Sequence, residues 1–132
     1  MIIYVDTSAA LKLVVEETES TAVAEYLSTA AHEANHLVAS MLLHTELHCA
    51  GKRRDLPAQL INTVLAGINL VDLARSDLLY APAMPGKLHS ADAIHLATAI
   101  RLQTDVLVAY DVELVTAATD ARLKALSPGG PR

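Results

Sequence analysis

Four short apolar runs set the rhythm of this chain: Ile2-Ile3-Tyr4-Val5, Leu37-Val38-Ala39, Ile68 to Leu73, and Val106 to Tyr110. Runs of that length, rich in β-branched and aliphatic residues, read as strands buried on both faces. Between them the apolar positions fall into a helical period. Helices are predicted from Thr7 into Val15, where Glu16 to Glu19 break the pattern, and from Ser20 to Ala31. A third runs from Met41 to about Lys52, with Ser40 placed to cap it. Asp55 caps a fourth, which Gly67 ends; Pro57 lies near its first turn, where the missing N–H is no loss. Ser76 to Ala83 is a short helix, Ser90 caps a long one to Gln103, and Val112 to Ala125 is the last. Short apolar strands alternating with helices imply an α/β domain with a parallel sheet covered on both faces. Residues 127–132, Ser-Pro-Gly-Gly-Pro-Arg, read as a flexible tail behind a single domain of residues 1–126.

Composition narrows the picture. A chain of 132 residues buries about two thirds of its unfolded surface, enough for one core. With 52% hydrophobic residues and no Trp or Phe, that core is aliphatic. The one cysteine, Cys49, rules out an internal disulfide and reads as a small buried hydrophobe. A reducing cytoplasm fits. No basic leader precedes the first apolar run, and the longest uncharged stretch, Leu56 to Val71, carries Pro, Asn, Thr and Gly and falls short of a membrane span. A net charge of −5 argues against a plain nucleic-acid binder, but it leaves room for a metal-dependent acidic site.

Asp6 stands where the first strand hands over to a helix. Two readings are open: an N-cap, or a ligand in the crevice beyond the strand ends. Asp111 follows the Val106 strand in the same way, so both aspartates point to one edge of the sheet. Glu46 has Leu42, Leu43, Cys49 and Ala50 at helical spacing, and a carboxylate on an apolar face needs a partner. Asp92 lies in the first turn of its helix, where the dipole alone would favour it. Asp105 precedes its strand and so belongs to the opposite edge, and Asp120 reads as a surface residue. Glu113 is near enough to Asp111 to be an accessory. Several carboxylates gathered together cannot all ionise without a counter-charge. A hard divalent cation supplies one, and with it an activated water for phosphodiester cleavage.

Asp6-Thr7-Ser8 after the first strand, Thr45-Glu46 in a mid-chain helix, Ser90-Ala91-Asp92-Ala93-Ile94-His95-Leu96-Ala97-Thr98-Ala99, and Tyr110-Asp111 after a late strand together resemble the PIN-domain ribonucleases, and in particular their VapC-type toxins. Order, intervals and length agree over nearly the whole chain. The resemblance implies a three-layer α/β/α domain with a central, mainly parallel sheet. It implies a Mg²⁺- or Mn²⁺-dependent endoribonuclease acting on RNA, a cognate antitoxin as partner, and a homodimer. The motifs carry the catalytic and metal-ligating set onto Asp6, Glu46, Asp92 and Asp111, and a further polar accessory position onto Thr7 or Ser8. One departure is Ala109, where the family often has a hydroxyl residue before Tyr-Asp.

Other signals compete. His32-Glu33-Ala34-Asn35-His36 fits the HExxH zinc-protease pattern, but it lies between a helix and a strand, and no third ligand follows at that family's spacing. His44 and His48 flank Glu46 at i, i+4 and read as solvent-facing. His95 reads as a core histidine close to the acidic positions. Lys52-Arg53-Arg54, Lys12 and Lys87 are the basic groups available for RNA phosphates. A PIN-like module that has lost catalysis and only binds a partner is the alternative reading; the presence of all four acidic positions argues against it.

Overall fold

The computed structural model describes residues 1–130. Strands β1 (Ile2–Val5), β2 (His36–Ser40), β3 (Asn69–Val71), β4 (Val106–Val108) and β5 (Ala125–Leu126) form one sheet in the order β3-β2-β1-β4-β5. Every pairing is parallel. Among the described residues seven α-helices connect them: α1 (Thr7–Leu11), α2 (Ser20–His32), α3 (Leu42–Arg53), α4 (Ala58–Ala66), α5 (Arg75–Tyr80), α6 (Ser90–Arg101) and α7 (Val112–Asp120). A 3₁₀ turn at Ala81–Ala83 extends α5.

The chain first moves outward from β1 to β2 and β3, then returns past β1 to β4 and β5. Parallel crossovers are right-handed, so α1 to α4 cover one face and α5 to α7 the other. The packing agrees: α1 meets α3 and α3 meets α4, whereas α5 and α7 meet α6. This is the expected α/β/α sandwich. Its core is aliphatic, built on Ile3, Val5, Leu43, Leu47, Leu96, Leu107 and Leu114. At Gly51 a Cβ would lie 2.1 Å from Ile61 Cδ1, so this glycine is what lets α3 and α4 pack closely. The strand order reverses between β1 and β4, and the crevice beyond their carboxyl ends is where such sheets place a ligand.

Several predicted boundaries shift, mostly for one reason. Ala34, Asp55, Gln103 and Arg122 all have positive φ. Each follows a helix whose end is closed by paired backbone bonds, such as Leu56 N–H to Gly51 O at 2.8 Å and Leu123 N–H to Ala118 O at 2.8 Å. These are Schellman closures, normally made with glycine. Asp55 therefore ends α3, while Pro57 is the N-cap of α4. Likewise Arg122 stops the last helix at Asp120, and the chain turns in time to form β5. The first helix stops at Leu11 because Leu13 and Val14 close tighter i→i−3 bonds instead. His89, not Ser90, is the N-cap of α6. Ser40 ends β2, yet its Oγ still accepts the Leu42 N–H at 3.1 Å.

Two further expectations change. Cys49 is exposed: the buried stripe of α3 runs through Leu43, Leu47 and Gly51, and Cys49 falls outside it. The start of the expected tail is tied down, with Ser127 Oγ donating to Ala109 O at 2.6 Å and Tyr110 OH donating to Pro128 O at 2.6 Å. Pro131 and Arg132 lie outside the described residues.

Candidate active site

The reversal point of the sheet gathers the acidic residues. Asp6 leaves β1 at its carboxyl end and serves as the N-cap of α1, as the cap reading expects. It is buried, and its Oδ2 accepts from Ser8 N–H at 3.0 Å and Ser8 Oγ–H at 2.6 Å. Ser8 Oγ in turn accepts the Tyr110 N–H at 2.9 Å, which ties the ends of β1 and β4 together. Asp6 Oδ1 is buried and has no hydrogen-bond partner among the described residues. Asp111 is exposed and caps α7, accepting the Leu114 N–H at 2.9 Å.

Glu46 comes from α3, and a quarter of its side chain is in solvent. Its Oε1 accepts from Thr7 Oγ1 at 2.7 Å and lies 2.5 Å from His95 Nε2. Burial pushes the Glu46 carboxyl up, but the His95 and Thr7 contacts outweigh it and hold it below the usual range. For His95 burial pulls the other way, and the hydrogen bond to Glu46 with the fields of Asp6, Glu46 and Asp92 raises it. Asp92, half-buried in the first turn of α6, is pushed up to about 6. Burial is the largest cause, followed by the charges of Asp6 and Asp111, with Glu46 adding to them. Asp92 therefore lies in the field of the other three predicted carboxylates. Glu113 is exposed in the first turn of α7 and, among the described residues, has no hydrogen bond to them.

Whether this set suits a divalent cation can be judged from its atoms. The donors are hard carboxylate oxygens, one is buried without a partner, and the surrounding charge is negative. Among the described residues no three His, Cys, Asp or Glu side chains form a group able to hold an ion by themselves. That still suits Mg²⁺, which usually takes one or two carboxylates, keeps several waters and shares the substrate's phosphate. Asp6 Oδ1 is the best-defined candidate donor. The set fits a water-rich hard-cation site and does not fit a closed cage.

The rival signals separate from this edge. His32 is the last residue of α2 and His36 opens β2, so the two imidazoles do not share a helix face. His44 and His48 stack near each other, ring centroids 4.7 Å apart, and His48 Nε2 lies 3.0 Å from Asn62 Oδ1. Lys12 is engaged with Glu19 at 2.9 Å and lies over the Tyr110 ring, so it is not a free phosphate contact. Lys52 and Arg53 close α3, about two turns beyond Glu46. Sequence reasoning missed Tyr4 and Ser40, which sit behind His95. The available signal was a hydroxyl-bearing aromatic in a strand buried on both faces, since a buried tyrosine usually needs a partner.

The PIN domain model matches residues 3–119. Ribonuclease VapC47 of Mycobacterium tuberculosis is 30% identical over 135 residues, covering 98% of this chain and 99% of that protein. The crystal structure of VapBC2 from Rickettsia felis bound to a promoter DNA fragment superposes with a TM-score of 0.77 at 13% identity, covering 96% of this chain and 98% of that one. A toxin–antitoxin complex from Klebsiella pneumoniae gives a TM-score of 0.67 at 20% identity, covering 96% and 97%. At those identities the two structures speak for the fold, while the family model and the full-length relative speak for descent. With its parallel sheet reversing beside Asp6 and its acidic positions in family order, the chain belongs to the PIN-domain family, in the VapC-type branch.

Proposed function

We propose that this protein is a metal-dependent endoribonuclease and the toxin of a toxin–antitoxin pair, acting in the cytoplasm. The observation that carries the reading is Asp6: a carboxylate buried at the reversal point of the sheet, one oxygen unpartnered, among like charges. Asp6, Glu46, Asp92 and Asp111 are the proposed catalytic and metal-ligating set, with Thr7 and Ser8 as accessories. When bound, Mg²⁺ or Mn²⁺ supplies an activated water and charge stabilisation for a phosphodiester. Asp6 would hold the cation through Oδ1, because Ser8 engages Oδ2 and leaves Oδ1 without a partner among the described residues. Thr7 restrains Glu46 through Oε1. Asp111, exposed and already engaged as a cap, acts at the rim.

Relatives named ribonuclease, and a neighbour that is a toxin–antitoxin complex, support RNA as substrate and an antitoxin as partner. An antitoxin side chain carrying positive charge into this edge would replace the cation and block substrate. Homodimerisation is supported by exposed apolar residues on the second face, Leu78, Leu79, Tyr80 and Ile100. Purified protein should cut RNA with Mg²⁺ or Mn²⁺ and stop with EDTA. It should also co-purify with the product of a neighbouring small reading frame, and the complex should cut poorly. Stable pairing without cleavage of any structured or single-stranded RNA would favour the inactive binding module instead.

A further inference from the structure

Behind Glu46 lies a chain of hydrogen bonds with a readable direction. Ser40 N–H donates to Tyr4 OH at 3.0 Å, and Tyr4 OH lies 2.7 Å from His95 Nδ1. Tyr4, His95 and Ser40 are all fully buried, so each polar group must find its partner within the protein. A backbone N–H can only donate, so the tyrosine oxygen accepts from Ser40. The tyrosine's single proton then has one place to go, His95 Nδ1, which makes Nδ1 the acceptor. The ring's own proton is left on Nε2, 2.5 Å from Glu46 Oε1. Thr7 Oγ1 donates to the same Glu46 oxygen. Both contacts fall on Oε1, which leaves Oε2 as the oxygen that can turn outward.

We propose that His95 is a positioning residue: locked by Ser40 N–H and Tyr4 OH, it donates from Nε2 to Glu46 Oε1 and so leaves Oε2 as the oxygen that would serve a bound cation. The proposal rests on the metal-site reading above but concerns a residue outside the acidic set. Buried partners that orient a ligating carboxylate change metal affinity by about 10–100-fold when removed. The arrangement also explains how a histidine on a buried helix face can coexist with a carboxylate: it is the donor that Glu46 needs on its inner side.

Two measurements test it. In metal-free protein labelled with ¹⁵N-histidine, long-range ¹H–¹⁵N correlation reads which nitrogen of His95 bears a proton. A proton on Nε2 with a bare Nδ1 is the expected result; a bare Nε2, or a proton on Nδ1, overturns the proposal, whatever the metal does. In calorimetric titration with Mn²⁺, His95→Leu should bind about 10–100-fold more weakly than wild type. His95→Gln restores an N–H near the Nε2 position and should recover most of that affinity. Tyr4→Phe keeps the ring and removes the lock, so it should lose the single tautomer and bind Mn²⁺ more weakly; it serves if His95→Leu does not fold. Wild-type affinity in the folded His95→Leu protein, or in Tyr4→Phe if that is the one that folds, overturns the role of His95. Absence of Mn²⁺ binding by wild type itself counts instead against the metal-site reading, and the tautomer then decides the His95 geometry alone.

Discussion

Asp6 and Asp77 are withdrawn from solvent almost equally, to 2% and 1% exposure, and their surroundings are opposite. Asp77, in α5, is closed. The Arg101 guanidinium grips both its oxygens, Nε to Oδ1 at 2.7 Å and Nη2 to Oδ2 at 3.0 Å, and Ala74 N–H adds a third bond at 3.0 Å. Burial pushes the Asp77 carboxyl up, but Arg101 and its other hydrogen bonds outweigh that and hold it below the ordinary aspartate range. Among the described residues Asp6 receives only Ser8, on one oxygen, and no cation grips it as Arg101 grips Asp77. Burying a charge without a partner is expensive. Asp77 pins α5 to α6 and has nothing left to offer a ligand. Asp6 keeps one oxygen unpartnered at the crevice, which a structural ion pair lacks.

The contrast should break most visibly in activity. Asp6→Asn, Glu46→Gln and Asp92→Asn should each lower RNA cleavage by roughly 10²–10³-fold, the scale of removing one preorganised charge-stabilising group. Asp111→Asn should lose less, because the side chain is exposed at the rim. Asp77→Asn, equally buried, should leave the rate per folded molecule near wild type. Cleavage assays on this panel check it, and His32→Ala with His36→Ala is the control that should cut normally.

Stability should invert the order. Arg101→Met strands Asp77 in the core and should destabilise the fold by about 3 kcal/mol, the low end for breaking a buried pair, since Arg101 keeps a third of its side chain in solvent. Asp6→Asn in the metal-free protein should be neutral or stabilising, because it removes repulsion. Urea unfolding of both variants separates the two predictions.

A somewhat smaller effect is expected from cations. Mn²⁺ at 100 times its Kd should raise stability by about 2.7 kcal/mol if only the native state binds. The thermal shift should vanish in Asp6→Asn and persist in Asp77→Asn. An unchanged wild-type melting curve across millimolar Mn²⁺ would remove the distinction between the two aspartates.

The smallest effect is in pH. Because the folded Asp77 carboxyl lies below its ordinary value near 4, the unfolded chain takes up its proton first as pH falls. Its contribution is thus fully present above that ordinary value and is lost as pH drops through the lowered one. Asp77→Asn should flatten the acid limb of the stability curve below about pH 4 and leave neutral pH behaviour unaltered. Denaturation midpoints from pH 2 to 6 check this.

The chain's own pattern determined more here than composition suggests. Short continuous apolar runs mark the strands and period-3.6 patterns the helices, so β1, β2, β4 and the long helices were legible, and with them the edge to which Asp6 and Asp111 point. Gly67 marked the end of α4, but four other helix ends were not legible, because they close on Ala34, Asp55, Gln103 and Arg122 in place of glycine. Two-residue β5 was invisible for another reason: Ala125 and Leu126 are too few to show a period, and only β4 makes them a strand. The acidic positions could be named from their motifs, but their states could not. Whether a buried carboxylate is closed or open depends on what lies across space from it. Arg101 is 24 residues from Asp77, and His95 is 49 from Glu46 and 91 from Tyr4. Local sequence sets where a side chain leaves the backbone; the sheet order and the two helical layers decide which partner meets it there, and hydrogen-bond satisfaction in a dry interior makes that meeting specific.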